Sequence, residues 1–582
     1  MAVQPQLDVA GGPRKGCVIR LLLAFFAAFL LSIPGFGQDH DSEKARLAGA
    51  QSAFDAGRWE ETARLAQGPA YQSSELDFLR GLALSRLEKW GEAKAAFETG
   101  ARKSPRDSRF HVELAGIAYK QKNLKLAKKD LRVALRLNPT AAYAQEFLAT
   151  IYFLEGNLEA ALKYWNLEDK PRLRSVSFEP QLQLNETLRN RALAFNAPQV
   201  LTGEALLTTE SRLDNLGIFS SRRIELAPAE SGNYDLTLHL AERNLWGDSK
   251  AEGIVSLFSG LPYATVYPEL YNLGHEAINV TSLVRWDAQK RRAFVATSLP
   301  LFGDPSLRLR FYVDARNENW NLSQTFTGAV TPLTDVNLRR IAVGAKFHAV
   351  ASGRWSWSAG AEAANRNFRN VSSSLSPAER VFFTGGNSLA GWMGADRTLA
   401  RSPEHRFTLD SSVQAKAGRE FPNALGPFGM LQGALNAHWF PRAKGEDYET
   451  RAQIRAGATA GKASLDELFQ LGVERDNDLW LRGHAGTIDG RKGAAPLGRR
   501  YLLANWETDK NIYGNGLFTL KIGPFLDTGA IADSSGLFGS RAWQWDSGLQ
   551  CKVRILGGVT AVFSYGRNLR GGKGVFYGTV LR

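Results

Sequence analysis

Apolar and polar residues alternate with a period of two through much of the second half of the chain. Leu307, Leu309, Phe311, Val313 and Ala315 share one face, and Arg308, Arg310, Tyr312, Asp314 and Arg316 share the other. Ile341, Val343, Ala345, Phe347 and Ala349 alternate with small residues, Lys346 and His348. Tyr448, Thr450, Ala452, Ile454 and Ala456 alternate with Glu449, Arg451, Gln453 and Arg455. The pattern predicts strands with one apolar and one charged face. A soluble sandwich with one wet face and a membrane barrel, apolar outward and charged inward, both satisfy it. The 56 glycines and the 32 Phe, 15 Tyr and 14 Trp, concentrated in this half, favour tight turns and aromatic girdles. Residues 245–582 are therefore read as a transmembrane β-barrel. At roughly 20 residues per strand and turn, it holds about 16 antiparallel strands.

Residues 42–170 follow a helical period instead. Small residues recur every 34 positions at Ala93, Ala127 and Ala161, and on the preceding helix at Gly81, Ala115 and Ala149. A bulky residue follows each alanine by four: Phe97, Leu131 and Trp165. Pro105 and Pro139 close two units at the same spacing. Small residues let paired helices approach, bulky ones fill the gap, and proline stops the second helix. A period of 34 with these positions matches tetratricopeptide repeats, an all-α solenoid that commonly presents a concave surface to a protein or peptide. A spacer role is the plainer reading of so short an array.

Between them, residues 172–244 predict a small α+β unit. Arg174–Phe178, Arg222–Leu226 and Tyr234–Leu240 read as strands, and Glu186–Phe195 and Gly203–Leu216 as helices. Gly217 stands where a left-handed helix cap is expected. The order β-α-α-β-β, with Leu-Asp-Asn-Leu-Gly-Ile-Phe at 213–219 and Leu240-Ala-Glu242-Arg, resembles a POTRA domain. Such a module implies an open strand edge able to take an extended client by β-augmentation.

The N-terminus changes the compartment. Arg14, Lys15 and Arg20 precede the apolar run Leu21–Leu31, and Gly35-Phe36-Gly37 offers small residues at a cleavage point. Residues 1–37 read as a secretory signal peptide. Export followed by a barrel implies the bacterial outer membrane, with the N-terminal domains in the periplasm and membrane lipid around the strands. Once the signal is removed only Cys551 remains, so neither an internal disulfide nor a cysteine metal site can form. The net charge of +14 raises nucleic-acid binding, but the C-terminal arginines alternate along strands rather than clustering. A basic lumen and basic loops are the better reading, with no nucleic-acid partner. No phosphate-cradling loop or zinc pattern occurs, and Gly386-Asn-Ser388-Leu-Ala390 reads as a turn rather than a nucleophile elbow. No enzyme activity and no cofactor are expected.

One constellation stands apart. Arg482 lies in Leu481-Arg482-Gly483-His484, Glu507 ends an apolar strand, and Asp527 interrupts Phe525-Leu526-Asp527-Thr528-Gly529. Charges at such places are costly unless they face a polar interior and meet partners. The acids fall about one and two strands after the arginine, so a loop folded into the barrel would bring all three together. The series Phe469-Gln-Leu-Gly472, Leu481-Arg482-Gly483, Glu507 and Phe525-x-Asp527-x-Gly529 resembles the signature of the BamA/TamA outer-membrane superfamily. The late Ser564-Tyr565-Gly566 and Gly571–Tyr577 are similar to its last two strands. The resemblance implies that Arg482 and Gly483 sit on a lumenal loop locked to Glu507 and Asp527, with Phe525 and Gly529 completing the barrel motif. It departs from the pattern at His484, where an aromatic is usual, and at the C-terminal Arg582. It implies a barrel that inserts or translocates proteins, with the repeats recruiting periplasmic clients or accessory proteins. A dedicated two-partner secretion pore and a passive porin or scaffold barrel are the alternatives.

Overall fold

The computed structural model describes residues 38–69, 72–324, 331–421, 426–515, 517–533, 538, 542–555 and 559–581. The expected signal peptide and Arg582 lie outside them. The chain separates into two compact units at Ile151/Tyr152.

The first unit is helical: α1 (Gln38–Asp55), α2 (Trp59–Leu65), α3 (Ser74–Arg86), α4 (Trp90–Lys103), α5 (Ser108–Lys120) and α6 (Leu124–Leu137). The next helix, α7 (Ala142–Leu154), runs across the division. Side chains fix where the helices begin. Asp107 accepts from the Arg109 amide at 3.0 Å, and Asn123 from the Leu126 amide at 3.1 Å. Ala93, Phe97, Ala127 and Leu131 are fully buried. Phe97 lies directly over Gly81, where any β-carbon would run into its ring. Phe78 meets Phe110 edge-on at 5.3 Å and so ties α3 to α5.

The second unit begins beyond α7 with α8 (Leu158–Trp165), which buries Ala161 and Trp165. A three-stranded sheet follows, ordered β1 (Leu173–Glu179), β3 (Tyr234–Glu242), β2 (Phe219–Pro228). The β1–β3 pair is parallel and the β2–β3 pair antiparallel. Helices α9 (Glu186–Ala192) and α10 (Gly203–Leu216) separate β1 from β2. Gly217 ends α10 at φ 65°, the left-handed cap its position predicts. The apolar stretch after residue 245 is not yet strand. It forms α11 (Lys250–Phe258), with Glu252 buried against Arg243 at 3.0 Å.

The large sheet starts at β4 (Thr265–Val266) and β5 (Glu269–Leu273), both paired with β6 (Ile278–Trp286). It continues as β7 (Lys290–Leu301), β8 (Asp304–Gln324), β9 (Thr331–Ser352), β10 (Trp355–Arg369), β11 (Gly386–Ser402), β12 (Phe407–Phe421), β13 (Gly426–Trp439) and β14 (Tyr448–Gly461). A short helix, α12 (Pro377–Arg380), lies between β10 and β11. After a long excursion, β19 (Arg500–Gly514), β20 (Phe518–Ala532), β21 (Gln544–Ile555), β22 (Val559–Asn568) and β23 (Gly574–Leu581) complete it. Each long strand pairs antiparallel with the next, and β14 pairs with β19 across the excursion. The strand order is circular. Counting the interrupted β4–β5 as one strand, β6–β14 as nine and β19–β23 as five, the meander holds fifteen among the described residues, in line with the expected number of about sixteen. With an odd number, the first and last strands run in the same direction.

The faces of this sheet are inverted relative to a water-soluble protein. Phe311, Val313, Ile341, Val343, Ile454 and Leu549 are exposed. Asp314, Arg340, Arg366, Glu420, Asp527 and Asp546 are buried. Outward apolar and inward charged side chains on alternating positions are the arrangement of a barrel in lipid. Among the described residues no helix is long and apolar enough to cross a membrane.

Turns at one end of the sheet meet α8, α9 and α10. The Asn185 amide donates to the His275 carbonyl at 2.8 Å, and Arg191 to the Gly303 carbonyl at 3.0 Å. The Gly353 amide donates to Thr208 Oγ1 at 3.0 Å, and Asn157 to the Pro403 carbonyl at 2.8 Å. The excursion between β14 and β19 leaves from the opposite end.

Candidate functional site

Residues 462–499 fold back along the charged face of the sheet. Their own scaffold is slight: β15 (Phe469–Gln470) pairs with β18 (Leu497–Gly498), and β16 (Thr487–Ile488) with β17 (Arg491–Lys492). Lys492 bridges in parallel to Trp320 of β8, a strand far from β14 and β19 in the sheet order. The segment therefore spans the interior from one wall to another.

Arg482 is only 3% exposed. Its backbone amide and Nε donate to Asp527 Oδ2 at 3.0 and 2.9 Å, and its Nη2 to Asp527 Oδ1 at 2.7 Å. Its Nη1 donates to Glu507 Oε2 at 2.9 Å and to Gln550 Oε1 at 2.8 Å. One guanidinium thus joins β19, β20 and β21. A planar fork suits this task and a point charge does not. The Phe525 ring lies 3.8 Å from the guanidinium carbon, covering its face.

Strand alternation explains the acid's place. Phe525, Asp527 and Gly529 share the inward face of β20, while Leu526 points outward. Asp527 interrupts the apolar run of the sequence without meeting the outer surface. A β-carbon on Gly529 would lie 2.7 Å from the Leu502 carbonyl oxygen, so glycine lets β19 and β20 close together there.

Sequence reasoning missed the next contacts. The Gly483 amide donates to Asp546 Oδ2 at 2.6 Å, and His484 Nδ1 lies 3.0 Å from the same oxygen. The other His484 nitrogen meets Asn568 at 3.0 Å. Histidine in place of an aromatic therefore links β21 and β22 by polar contacts. A β-carbon on Gly566 would strike the Arg482 carbonyl group, so β22 also lets the segment approach closely. Lys552 reaches both Glu507 and Asp509 at 2.6 Å and shares the acid that Arg482 uses. Asn505 donates to Asp527 Oδ1 at 2.7 Å and to the Trp480 carbonyl at 2.8 Å. None of these residues carries a local signal beyond a polar side chain at an inward position.

Two further charge clusters hold the segment to other walls. Asp476 accepts from Arg285 at 2.7 Å and Arg292 at 2.8 Å, and Glu474 from Lys290 at 3.0 Å, on β6 and β7. Lys492 meets Glu318 of β8 at 2.8 Å. Asp466 and Glu467 receive Arg366 of β10 at 2.8 and 2.5 Å, and Lys416 of β12 meets Glu467 at 2.7 Å. Carboxylates and cations are matched at each point, which offsets the cost of removing them from water.

The other sequence candidates fall elsewhere. Gly81, Ala93 and Phe97 pack within the first unit, with Ala127 buried in the same unit, and Ala161 is buried in the second. The stretch from Gly386 that reads as a turn is the start of β11, where Ser388 accepts a hydrogen bond from Arg366 at 2.6 Å. A cavity of about 420 Å³ borders Arg482, lined also by His438, Arg451, Arg455, Trp480 and Asn505. The arrangement can pin a segment across a polar interior. Among the described residues no cluster of three or more His, Cys, Asp or Glu side chains is placed to hold a metal.

No family model and no curated protein matches the sequence. Among solved structures, the chain is similar to BamA from Haemophilus ducreyi lacking POTRA domains 1–3, at 12% identity and a TM-score of 0.41, over 70% of this chain and 84% of that one. It is similar to CdiB from Escherichia coli at 13% identity and a TM-score of 0.45, over 71% and 75%. It is similar to CdiB from Acinetobacter baumannii at 13% identity and a TM-score of 0.43, over 73% and 81%. These likenesses are distant, and the fold stands on the strand registers themselves.

Proposed function

We propose that this chain is an outer-membrane barrel of the BamA/TamA superfamily that inserts or translocates polypeptides, with residues 462–499 as an internal plug. The observation that carries the reading is the buried bonding of Arg482 to three wall strands, inside a sheet whose outer face is apolar. Arg482, Gly483, Glu507 and Asp527 act as the lock of this plug and keep the barrel closed and in shape. The helical repeats and the β1–β3 unit, read as tetratricopeptide repeats and a POTRA domain, lie in the periplasm and receive clients. Strand β2 lies at an edge of its sheet, which suits capture of an extended segment by β-augmentation.

Two measurements test the reading together. In planar bilayers the purified chain should show low, unsteady conductance, because the plug occupies the interior. In cells, a photo-crosslinker in place of the exposed Arg223 on β2 should capture extended polypeptides. Steady, large conductance without polypeptide crosslinks would identify a passive porin and reject the proposal.

A further inference from the structure

The interior charges are not matched everywhere. Along 462–499, acids and bases meet in ion pairs, but near the turns that face α10 two cations, Arg310 and Lys346, are paired with no carboxylate. Arg310 of β8 stands directly opposite Lys346 of β9 in the strand register, and Arg308 directly opposite His348. The facing like charges of Arg310 and Lys346 destabilise the sheet. Among the described residues neither Arg310 nor Lys346 forms an ion pair. The nearest hydrogen bond of Arg310 goes to Thr281 Oγ1 at 3.4 Å, and its guanidinium lies 5.7 Å from the Phe294 ring. Arg308 is committed to the fold, donating to the Asn215 carbonyl and to Ser298 Oγ.

These side chains border a cavity of about 670 Å³ between α10 and strands β6 to β13. Three carboxylates border it too. Asp214 is engaged by Arg222, and Asp410 accepts from Thr398 at 2.6 Å. Asp396 stands on β11, two strands from Lys346. The cavity lies on the inward side of the strands. The outward neighbours Phe311 and Ile341 are exposed and apolar, so a lipid headgroup would not be on this side.

We propose that this cavity binds an acidic, extended segment of polypeptide, with Arg310 and Lys346 seating its carboxylates. The proposal rests on the polypeptide-handling reading above. Two cations held opposite each other without an acid are the cost of a site that an acidic ligand relieves. Guanidinium and ammonium groups hydrogen-bond carboxylates strongly when partly withdrawn from water. The cavity is lined by α10 at one part of its wall and by Asn436 of β13 at another.

The test uses the full chain in detergent micelles and a fluorescein-labelled ten-residue Glu/Ser peptide, followed by polarisation. A Gln/Ser peptide is the neutral control. The acidic peptide should bind and the neutral one should not, and raising salt should weaken binding. Arg310→Gln with Lys346→Gln should weaken it about tenfold or more, and Lys346→Gln alone several-fold. Because like charges are removed, neither variant should lower the Tm. Unchanged affinity in the double variant would overturn the proposal, as would displacement of the peptide by millimolar inorganic phosphate, which would mark a phosphate site. A lowered Tm accompanying the loss would also overturn it, since the pair would then be structural. The readout is equilibrium binding and requires no transport, so such failures reject the seat and leave the barrel reading to its own tests.

Discussion

Arg482 and Asp527 are 45 residues apart in sequence and joined by three hydrogen bonds of 2.7 to 3.0 Å, with the carboxylate fully buried. One of the three donors is the Arg482 backbone amide, so the acid holds the chain path of the segment as well as the side chain. Removal of Arg482 leaves Asp527 an unmatched buried charge, which costs about 3–5 kcal/mol.

Arg482→Ala should therefore loosen the segment from β19–β21 and raise bilayer conductance above that of the parent chain. Arg482→Lys should be intermediate. An ammonium can meet Asp527 but cannot also serve Glu507 and Gln550 in the guanidinium plane. Single-channel recordings of the two variants beside the parent chain check the order.

Gly566→Ala tests the same lock without touching a charge. Its β-carbon would strike the Arg482 carbonyl, which is backbone and cannot rotate aside. The variant should show the conductance of Arg482→Ala with all ion-pair residues intact. Parent-like recordings would mean that close approach of β22 is not part of the lock.

The contact of α8 with the β11–β12 turn should depend on pH. Burial pushes the Glu404 carboxyl up, but the hydrogen bond and charge of Lys163, with Tyr164 at 3.1 Å, bring it below its ordinary value of 4.5. A lowered folded value means stabilisation that is present above that ordinary value and lost as pH falls through the folded one. The Tm difference between the parent and Glu404→Gln should be steady near neutrality and shrink below pH 4.5. A difference that grows on acidification would contradict the pairing.

Phe97→Ala should empty the space over Gly81 and cost the first unit about 3–5 kcal/mol. Helical circular dichroism of the full chain should melt earlier, while the sheet signal should keep its own transition. A single shared shift would show that the two units unfold together.

Much of this was legible in the sequence because it follows local periods. Two-residue alternation gives the inward and outward faces of β8, β9 and β14, and the spacing from Arg482 to Glu507 and Asp527 gives neighbouring strands. Asp546, Gln550 and His484 were not legible as partners. Each is a single polar residue on an ordinary strand or loop, and its role exists only once the segment is folded inward. The apolar stretch at α11 reads like a first strand because Gly-Ile-Val-Ser-Leu-Phe has no charge to set a helical face.

The most direct measurement is a double-mutant cycle on Arg482→Ala and Asp527→Ala, read from thermal unfolding of the full chain in micelles. The account predicts strong non-additivity, with a coupling energy of about 1–3 kcal/mol between the two residues. Effects that add to within about 0.5 kcal/mol would contradict the lock.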